Sequence, residues 1–355
     1  MIGRAGRYLR LAGDLGRAAT IGHDQPFKLT TCLTFRCNHR CGACSIWSRD
    51  KGREATADEW DRFFASARHV SWLDLTGGEI VLRRDLGDII ESVHRHLPKL
   101  ALLHFPTNGL LPDAAVEAAR RMVRRGGPKV VVTVSVDGPP ALHDRIRGMD
   151  GAFESAMETL SRLQVIHGVD AFVGFTLQPG NLDALDATID ALAERRPGFT
   201  AHDLHVNYLH RSPHYFANLD GPALDPSAAR EVLRRFRGSK GVPLDPVRLV
   251  EWAYLRLADE NLRTGRSPVR CRSAELSAYV APDGTVYPCT IDDRPIGRLD
   301  AFGWDLRALW ASEQRKHLAD EIANDRCPGC WTPCEANQTL LGSPLGLARA
   351  LVRSA

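Results

Sequence analysis

Short apolar, β-branched runs alternate with longer amphipathic stretches over most of the first 210 residues. The strand-like runs are Phe27–Thr34, Val70–Thr76, Leu100–Pro106, Val130–Val136, Ala171–Gln178 and Asp203–Leu209. Between them, Thr56–Ala67, Leu86–Leu97, Asp113–Arg124, Ala152–His167 and Leu182–Glu194 repeat apolar residues at helical spacing. Near-continuous apolar strands separated by helices predict an α/β fold with a parallel sheet covered by helices. Six such units fit either a doubly wound sheet or an incomplete (β/α) barrel, and both place chemistry at the C-terminal ends of the strands. After residue 211 the rhythm breaks. Pro213, Pro222, Pro226, Pro243 and Pro246 interrupt two helical segments, Ser227–Arg237 and Pro246–Thr264. Ala278–Ala281 and Thr285–Tyr287, joined by Pro282-Asp283-Gly284, then predict a β-hairpin. The expected organisation is an N-terminal amphipathic helix (1–25), a strand–helix domain (26–215), a helical linker (216–265), a cysteine-bearing domain (266–340) and a tail (341–355).

The composition is that of an ordinary globular chain: of 355 residues 44% are apolar and 25% charged, and the net charge of +3 gives no reason to expect a nucleic-acid partner. No run of about 18 apolar residues spans a membrane. Arg4, Arg7 and Arg10 are not followed by the apolar run of a secretory signal, which leaves the reducing cytoplasm as the expected compartment. There, nine cysteines read as metal ligands rather than disulfides. They fall into two groups, Cys32, Cys37, Cys41 and Cys44, then Cys271, Cys289, Cys327, Cys330 and Cys334. Two thiolate groups predict two metal sites.

Cys37, Cys41 and Cys44, spaced C-x3-C-x2-C directly after the first strand, suit three irons of a cubane cluster and leave the fourth iron open to a small chelating molecule. The alternative is zinc, which ordinarily takes four protein ligands; His39 would be the fourth, set awkwardly between two of the cysteines.

The segment resembles the radical S-adenosylmethionine (SAM) family, motif after motif. Thr76-Gly77-Gly78-Glu79 is similar to the family's GGE motif, in which backbone and acid hold the ammonium group of SAM. Thr107-Asn108-Gly109 ends the third strand and contributes to the same cofactor site. Ser135-Val136-Asp137-Gly138 ends the fourth, and with His143, Asp144, Arg147 and Gly148 it resembles the subgroup signature SxDGxxxxHDxxRG. By resemblance Ser135 and Asp137 bond the ribose hydroxyls, and Leu177 and Gln178 lie near the adenine. One departure is Ala43, where the family often has an aromatic residue before the third cysteine. The resemblance spans residues 27–210 and implies a partial (β/α)6 TIM-like barrel, a SAM-binding 4Fe–4S cluster on Cys37, Cys41 and Cys44, and a one-electron donor such as flavodoxin or ferredoxin.

Cys271 and Cys289 bracket the hairpin in the pattern C-x12-G-x4-C, and Cys327, Cys330 and Cys334 follow. This resembles the C-terminal SPASM or shorter twitch extension of the same family, a β-hairpin plus helix. Five cysteines instead of seven imply one auxiliary 4Fe–4S cluster, with Cys271, Cys289, Cys327 and Cys330 the best match to twitch spacing and Cys334 replacing one of them or staying free. A structural zinc knuckle is the alternative.

Cys32 is expected to be a small buried hydrophobe in the first strand, with hydrogen-atom donation in the barrel as its other reading. Asn207–Tyr215, with His210, Arg211 and His214, is either a polar substrate-binding loop or a solvated one. His104 is expected to be a satisfied core histidine, and Trp72 and Trp331 packing residues. Both termini, Ile2–Ala19 (Ala5, Leu9, Ala12 and Leu15 on one side) and Leu345–Val352 (with Arg349 and Arg353), are expected as basic amphipathic helices. They either cover an open side of the barrel or attach peripherally to a membrane.

The resemblance implies a radical SAM oxidoreductase that removes a substrate hydrogen and completes an oxidation or coupling through its auxiliary cluster. The substrate is left open among a ribosomal peptide, a sugar or aminocyclitol, and a lipid headgroup. Radical-initiated methyl transfer, epimerisation and a non-catalytic zinc-stabilised scaffold are the alternatives.

Overall fold

The six apolar runs become six parallel strands, each but the last followed directly by a helix. In the computed structural model, which describes residues 4–20, 25–241 and 246–352, the order is α1 (Arg4–Thr20), β1 (Lys28–Thr34), α2 (Ala57–Ser66), β2 (Trp72–Gly77), α3 (Leu86–His96), β3 (Leu102–Thr107), α4 (Pro112–Met122), β4 (Lys129–Ser135), α5 (Pro140–Arg147), α6 (Ala152–Gln164), β5 (Val169–Leu177), α7 (Leu185–Arg195) and β6 (Leu204–Tyr208). There follow α8 (Pro226–Lys240), α9 (Pro246–Thr264), β7 (Ser277–Val280), β8 (Thr285–Tyr287), β9 (Gly297–Arg298), α10 (Leu306–Trp310), α11 (Glu313–Ala323), α12 (Pro333–Leu341) and α13 (Pro344–Val352).

Local chemistry sets the boundaries. Thr56 caps α2 through a reciprocal pair: its hydroxyl accepts from the Glu59 amide and the Glu59 carboxylate from the Thr56 amide. Along β3 and β4, Leu103, Phe105, Val130, Val132 and Val134 are fully buried under the helices. The alternating residues, among them His104 and Thr133, face the other way, into the barrel interior, where their side chains bond each other at 3.0 Å. This period of two gives the barrel an apolar outer layer and a polar lumen.

The hairpin is not a free-standing appendage. The sheet runs β6-β5-β4-β3-β2-β1-β7-β8-β9, with β7 parallel to β1 in the register Lys28↔Ser277 to Thr31↔Val280. Helices α8 and α9, expected as a linker, form part of the wall: Lys240 donates to the Leu204 carbonyl at 3.0 Å and Tyr254 to Asn207 Oδ1 at 3.0 Å. Trp331 stacks on Tyr254 at 6.3 Å, and Lys28 donates to the Cys334 carbonyl. Thus α9 and the last cysteine segment bridge β6 to β1, across the side that six strands leave open.

Lys28 is fully buried, paired with Asp74 at 3.2 Å. Burial pushes the Asp74 carboxyl up, but Lys28 and His104 outweigh it and hold the group well below the carboxylate range. His104 is the satisfied histidine expected, between Asp74 and Thr133, although on the lumen face.

The terminal helices are only partly as expected. Leu11 and Leu15 of α1 pack on Phe27 and Leu276, whereas Leu9 and Ala12 are exposed. The helical phase that places Leu15 inward also turns Leu11 inward, not Leu9. Arg349 of α13 bonds the Pro268 carbonyl and Glu260, both at 2.6 Å. Ile2 and Arg353 lie outside the described residues. Among the described residues no helix is long and apolar enough to cross a membrane.

Candidate iron–sulfur active site

The loop after β1 carries Cys37, Cys41 and Cys44, each partly buried and none in a disulfide. Burial pushes the Cys44 thiol up to about 12, so cluster assembly must displace its proton. The end of β2 crosses this loop at backbone distance: Gly78 N donates to Thr34 O and Glu79 N to Arg36 O, both at 2.8 Å. A Cβ on Gly77 would stand 2.3 Å from Thr34 O, and one on Gly78 would stand 2.2 Å from Arg36 O. Only glycine allows that approach.

The crossing delivers Glu79, which is 1% exposed. One carboxylate oxygen accepts from the Asn108 amide at 2.8 Å and the Thr107 hydroxyl at 3.1 Å. The other, Oε1, is buried without a partner. Burial raises the carboxyl to about 7. An orphaned buried carboxylate oxygen beside a thiol loop fits a cationic ligand, as the ammonium of SAM would be. Asn108 also reaches the loop, donating to Asn38 Oδ1 at 2.7 Å and approaching Cys37 Sγ at 3.9 Å.

Ser135 ends β4. Asp137, buried just beyond it, accepts from the Thr176 amide at 2.8 Å through Oδ1 and from Arg147 at 2.8 Å through Oδ2. Gln178 is held by Asn181, whose Oδ1 takes the Gln178 amide at 2.7 Å and whose Nδ2 donates to Asp137 O and Thr176 O. Leu177 is the exception: its side chain is fully buried with the outer core, so only its backbone faces the strand-end surface. The odd residues of β5 pack outward, and position 177 falls in that phase.

Four of the five later cysteines, Cys271, Cys289, Cys327 and Cys330, line one small cleft together with Ile322. That donor set fits a four-thiolate cluster. Cys334 is not on the cleft wall. It lies at the start of α12, where Lys28 takes its carbonyl, and burial pushes its thiol up to about 12.

Between the two thiol groups run residues 207–218, in which Arg211 and Pro213 are exposed and the rest is wholly or partly buried. Ser212, His214 and Asn218 are buried. Ser45 N donates to Phe216 O at 2.9 Å and Asn218 Nδ2 to Ala43 O at 2.9 Å, fixing the strap to the first thiol loop. His210 Nε2 accepts from Trp331 N at 3.3 Å and His214 Nε2 meets Cys289 O at 3.0 Å, fixing it to the second set. Tyr215 bonds Thr76 at 2.9 Å. Cys32 is fully buried in the same lumen cluster as Phe35, Ile46 and Tyr279, with Cys37, Cys44 and Tyr215 against it. Polar side chains signalled a function for the strap; that they would bond backbone carbonyls across domains was not in the local sequence.

Two family models match the sequence. The sequence model of the radical SAM superfamily matches residues 31–192, and that of the SPASM iron–sulfur cluster-binding domain matches residues 271–331. The chain is an iron–sulfur-dependent enzyme of the radical SAM superfamily. More particularly, it belongs to the members that carry a C-terminal SPASM domain, whose cofactors are a 4Fe–4S cluster, SAM and auxiliary cluster chemistry.

Among its relatives, the sporulation killing factor maturation protein SkfB of Bacillus subtilis is 25% identical over 314 residues, 86% of this chain and 69% of that one. The PqqA peptide cyclase of Ruegeria pomeroyi is 28% identical over 313 residues, 83% and 76% of the two chains. Mycofactocin maturase MftC of Mycolicibacterium smegmatis is 30% identical over 185 residues, 49% and 43%. The fold is shared with anSMEcpe with bound AdoMet (TM-score 0.60, 15% identical, 84% of each chain) and Streptococcus suis SuiB bound to SAM (TM-score 0.56, 14% identical, 82% and 66%).

Proposed function

We propose that this chain is a peptide maturase that oxidises or cross-links a ribosomally made peptide by radical chemistry. The observation that carries the radical half is the unpartnered Glu79 Oε1, buried beside the Cys37–Cys44 loop. The peptide half is supported by SkfB and PqqA peptide cyclase, named for maturation and peptide cyclisation, whose similarity to this chain extends over more than four-fifths of it.

Held on three thiolates, a 4Fe–4S cluster would supply the one-electron cleavage of SAM, with methionine as the leaving group and hydrogen-atom abstraction from the substrate as its consequence. The protein's part is to hold and to exclude. Cys37, Cys41 and Cys44 would ligate the cluster and leave one iron to SAM. Glu79, with Gly77 and Gly78 clearing the approach, would take the ammonium, and Thr107 and Asn108 keep its other oxygen committed. Ser135, Asp137, Gln178 and the Leu177 backbone would line the nucleoside. Cys271, Cys289, Cys327 and Cys330 would ligate one auxiliary cluster, placed by the 207–218 strap to take the second electron of an oxidation. The bridge of α9 and the last cysteine segment, with Trp331 on Tyr254, closes the side of the lumen against water.

The test is mass spectrometry of candidate precursor peptides after anaerobic incubation with reconstituted enzyme, SAM and dithionite. The reading expects a product that has lost two hydrogens. An unmodified peptide together with a modified sugar or lipid headgroup would contradict the substrate class.

A further inference from the structure

Arg147 stands against the first thiol loop, and beyond its contact with Asp137 no role has been given to it. It closes α5, 13% exposed at its side chain. Nη1 is 3.9 Å from Cys41 Sγ and Nη2 is 2.8 Å from Asp137 Oδ2; Nε is buried without a partner. Its place is fixed from several sides. Its carbonyl accepts from the Arg40 amide at 2.9 Å. Gly148 follows at φ +61, where a Cβ would strike Arg40 O at 2.8 Å. Asp144, three residues earlier, accepts from the Gly151 and Phe153 amides at 2.7 and 2.8 Å. Asp137 is fixed in turn by the Thr176 amide and by its own amide donating to His143 Nδ1 at 3.0 Å.

We propose that Arg147 tunes how readily the first cluster is reduced, its guanidinium facing the Cys41 sulfur while Asp137 offsets part of its charge. The inference rests on the reading that Cys37, Cys41 and Cys44 hold that cluster. Reduction takes one electron from an external low-potential donor and adds one negative charge to the cluster. A buried cation beside a ligating sulfur stabilises the reduced form and raises the potential, and a carboxylate on that cation lowers it again. The planar fork lets one residue engage sulfur and carboxylate through two separate nitrogens at a fixed angle, a geometry that a lysine's single nitrogen does not reproduce. Arg147 is thus a positioning and tuning residue, acting through Cys41.

The test is an EPR redox titration of the full chain, reconstituted anaerobically with iron and sulfide and without SAM. The first cluster is the signal absent from a Cys37→Ala, Cys41→Ala, Cys44→Ala variant; the auxiliary signal is the internal reference. Arg147→Gln is expected to make reduction of the first cluster at least tenfold harder, about 59 mV lower for one electron. Asp137→Asn is expected to shift it the opposite way, and Arg147→Lys to restore part of the loss. A merely structural role would not give opposite signs. An unchanged midpoint in Arg147→Gln, or shifts of the same sign in both variants, overturns the proposal. Should Arg147→Gln hold no first cluster, Asp137→Asn decides: a rise upholds it, and no change or a fall overturns it. Absence of the first signal from the unsubstituted protein would instead remove the cluster assignment itself, and this inference with it.

Discussion

The Nε2 of His214 lies 3.0 Å from the carbonyl oxygen of Cys289. Burial pushes the imidazole's pKa down, so the ring is neutral near pH 7 and Nε2–H is the donor. Because the strap also takes the Ser45 amide and gives Asn218 to Ala43, one segment fixes the backbone of both thiol groups.

Replacing His214 by Phe keeps a ring against Tyr287 and Tyr279, 4.4 and 5.5 Å away by centroid, but leaves the Cys289 carbonyl without its donor. A cost of about 1–3 kcal/mol is expected. It should appear as a lower unfolding midpoint and faster chelator extraction of auxiliary iron, with SAM cleavage retained. Unchanged iron release would show that the strap does not support the second site.

Glu79 gives a pH dependence with a definite sign. Its carboxyl is raised by burial to about 7 from an ordinary 4.5. Before SAM binds, the protonated acid is the better accommodated form, so this group favours the folded state fully below pH 4.5 and loses that contribution as pH rises through about 7. Cation binding needs the carboxylate, so SAM affinity should rise with pH up to about 7 and level off above it. Glu79→Gln should weaken SAM binding roughly tenfold or more, about 1.4 kcal/mol, and abolish the dependence. Titration calorimetry across pH 5–8 measures both.

Gly78→Ala places a methyl group 2.2 Å from Arg36 O and 3.0 Å from Cys37 Cβ. The backbone cannot yield there without moving the thiol loop. Iron at the first site and release of 5′-deoxyadenosine should both fall more than tenfold, while auxiliary iron is kept. Normal activity in this variant would mean that the close crossing of β2 over the loop is dispensable.

Cys334 stands apart from the cleft lined by Cys271, Cys289, Cys327 and Cys330. Cys334→Ser should therefore keep its auxiliary iron and sulfide, whereas Ser at any of the other four should lose or destabilise that cluster. Iron and sulfide counts on the five single variants make the comparison. Loss in Cys334→Ser with retention in Cys271→Ser would reassign the ligand set.

The sheet was legible because each strand keeps a row of apolar residues under the helices, as Leu103, Phe105, Val130, Val132 and Val134 do: β1 is read as Phe27–Thr34 and observed as Lys28–Thr34. The strand-end motifs were legible because glycine at 77 and 78 and the acid at 79 have few other reasons to follow a strand. What local pattern does not carry is long-range pairing. Nothing near Ser277 announces that β7 will join β1, or that Lys28 will be buried against Cys334. Arg147 is legible as part of the signature motif, but its contacts with Asp137 and Cys41 are not, and Asn181 reads as an ordinary loop residue until the fold brings Asp137 to it. Helix α10, capped by Asp305, has too few turns for periodicity to show, and α11, capped by Ser312, buries only Leu318 and Ile322, too thin an apolar stripe to stand out. At Leu177 the strand-end position was legible, but the phase of β5 turns its side chain into the outer core and leaves only its backbone on the strand-end surface.

The central claim is that three cysteines hold a cluster with one iron open to SAM. Its most direct measurement is 5′-deoxyadenosine formed from SAM by dithionite-reduced, anaerobically reconstituted protein, beside the variant with Ala at positions 37, 41 and 44. The account predicts cleavage by the unsubstituted chain and none by the variant, which should still retain its auxiliary iron. Equal yields from both, or no cleavage by an unsubstituted chain loaded with iron at both sites, would contradict it.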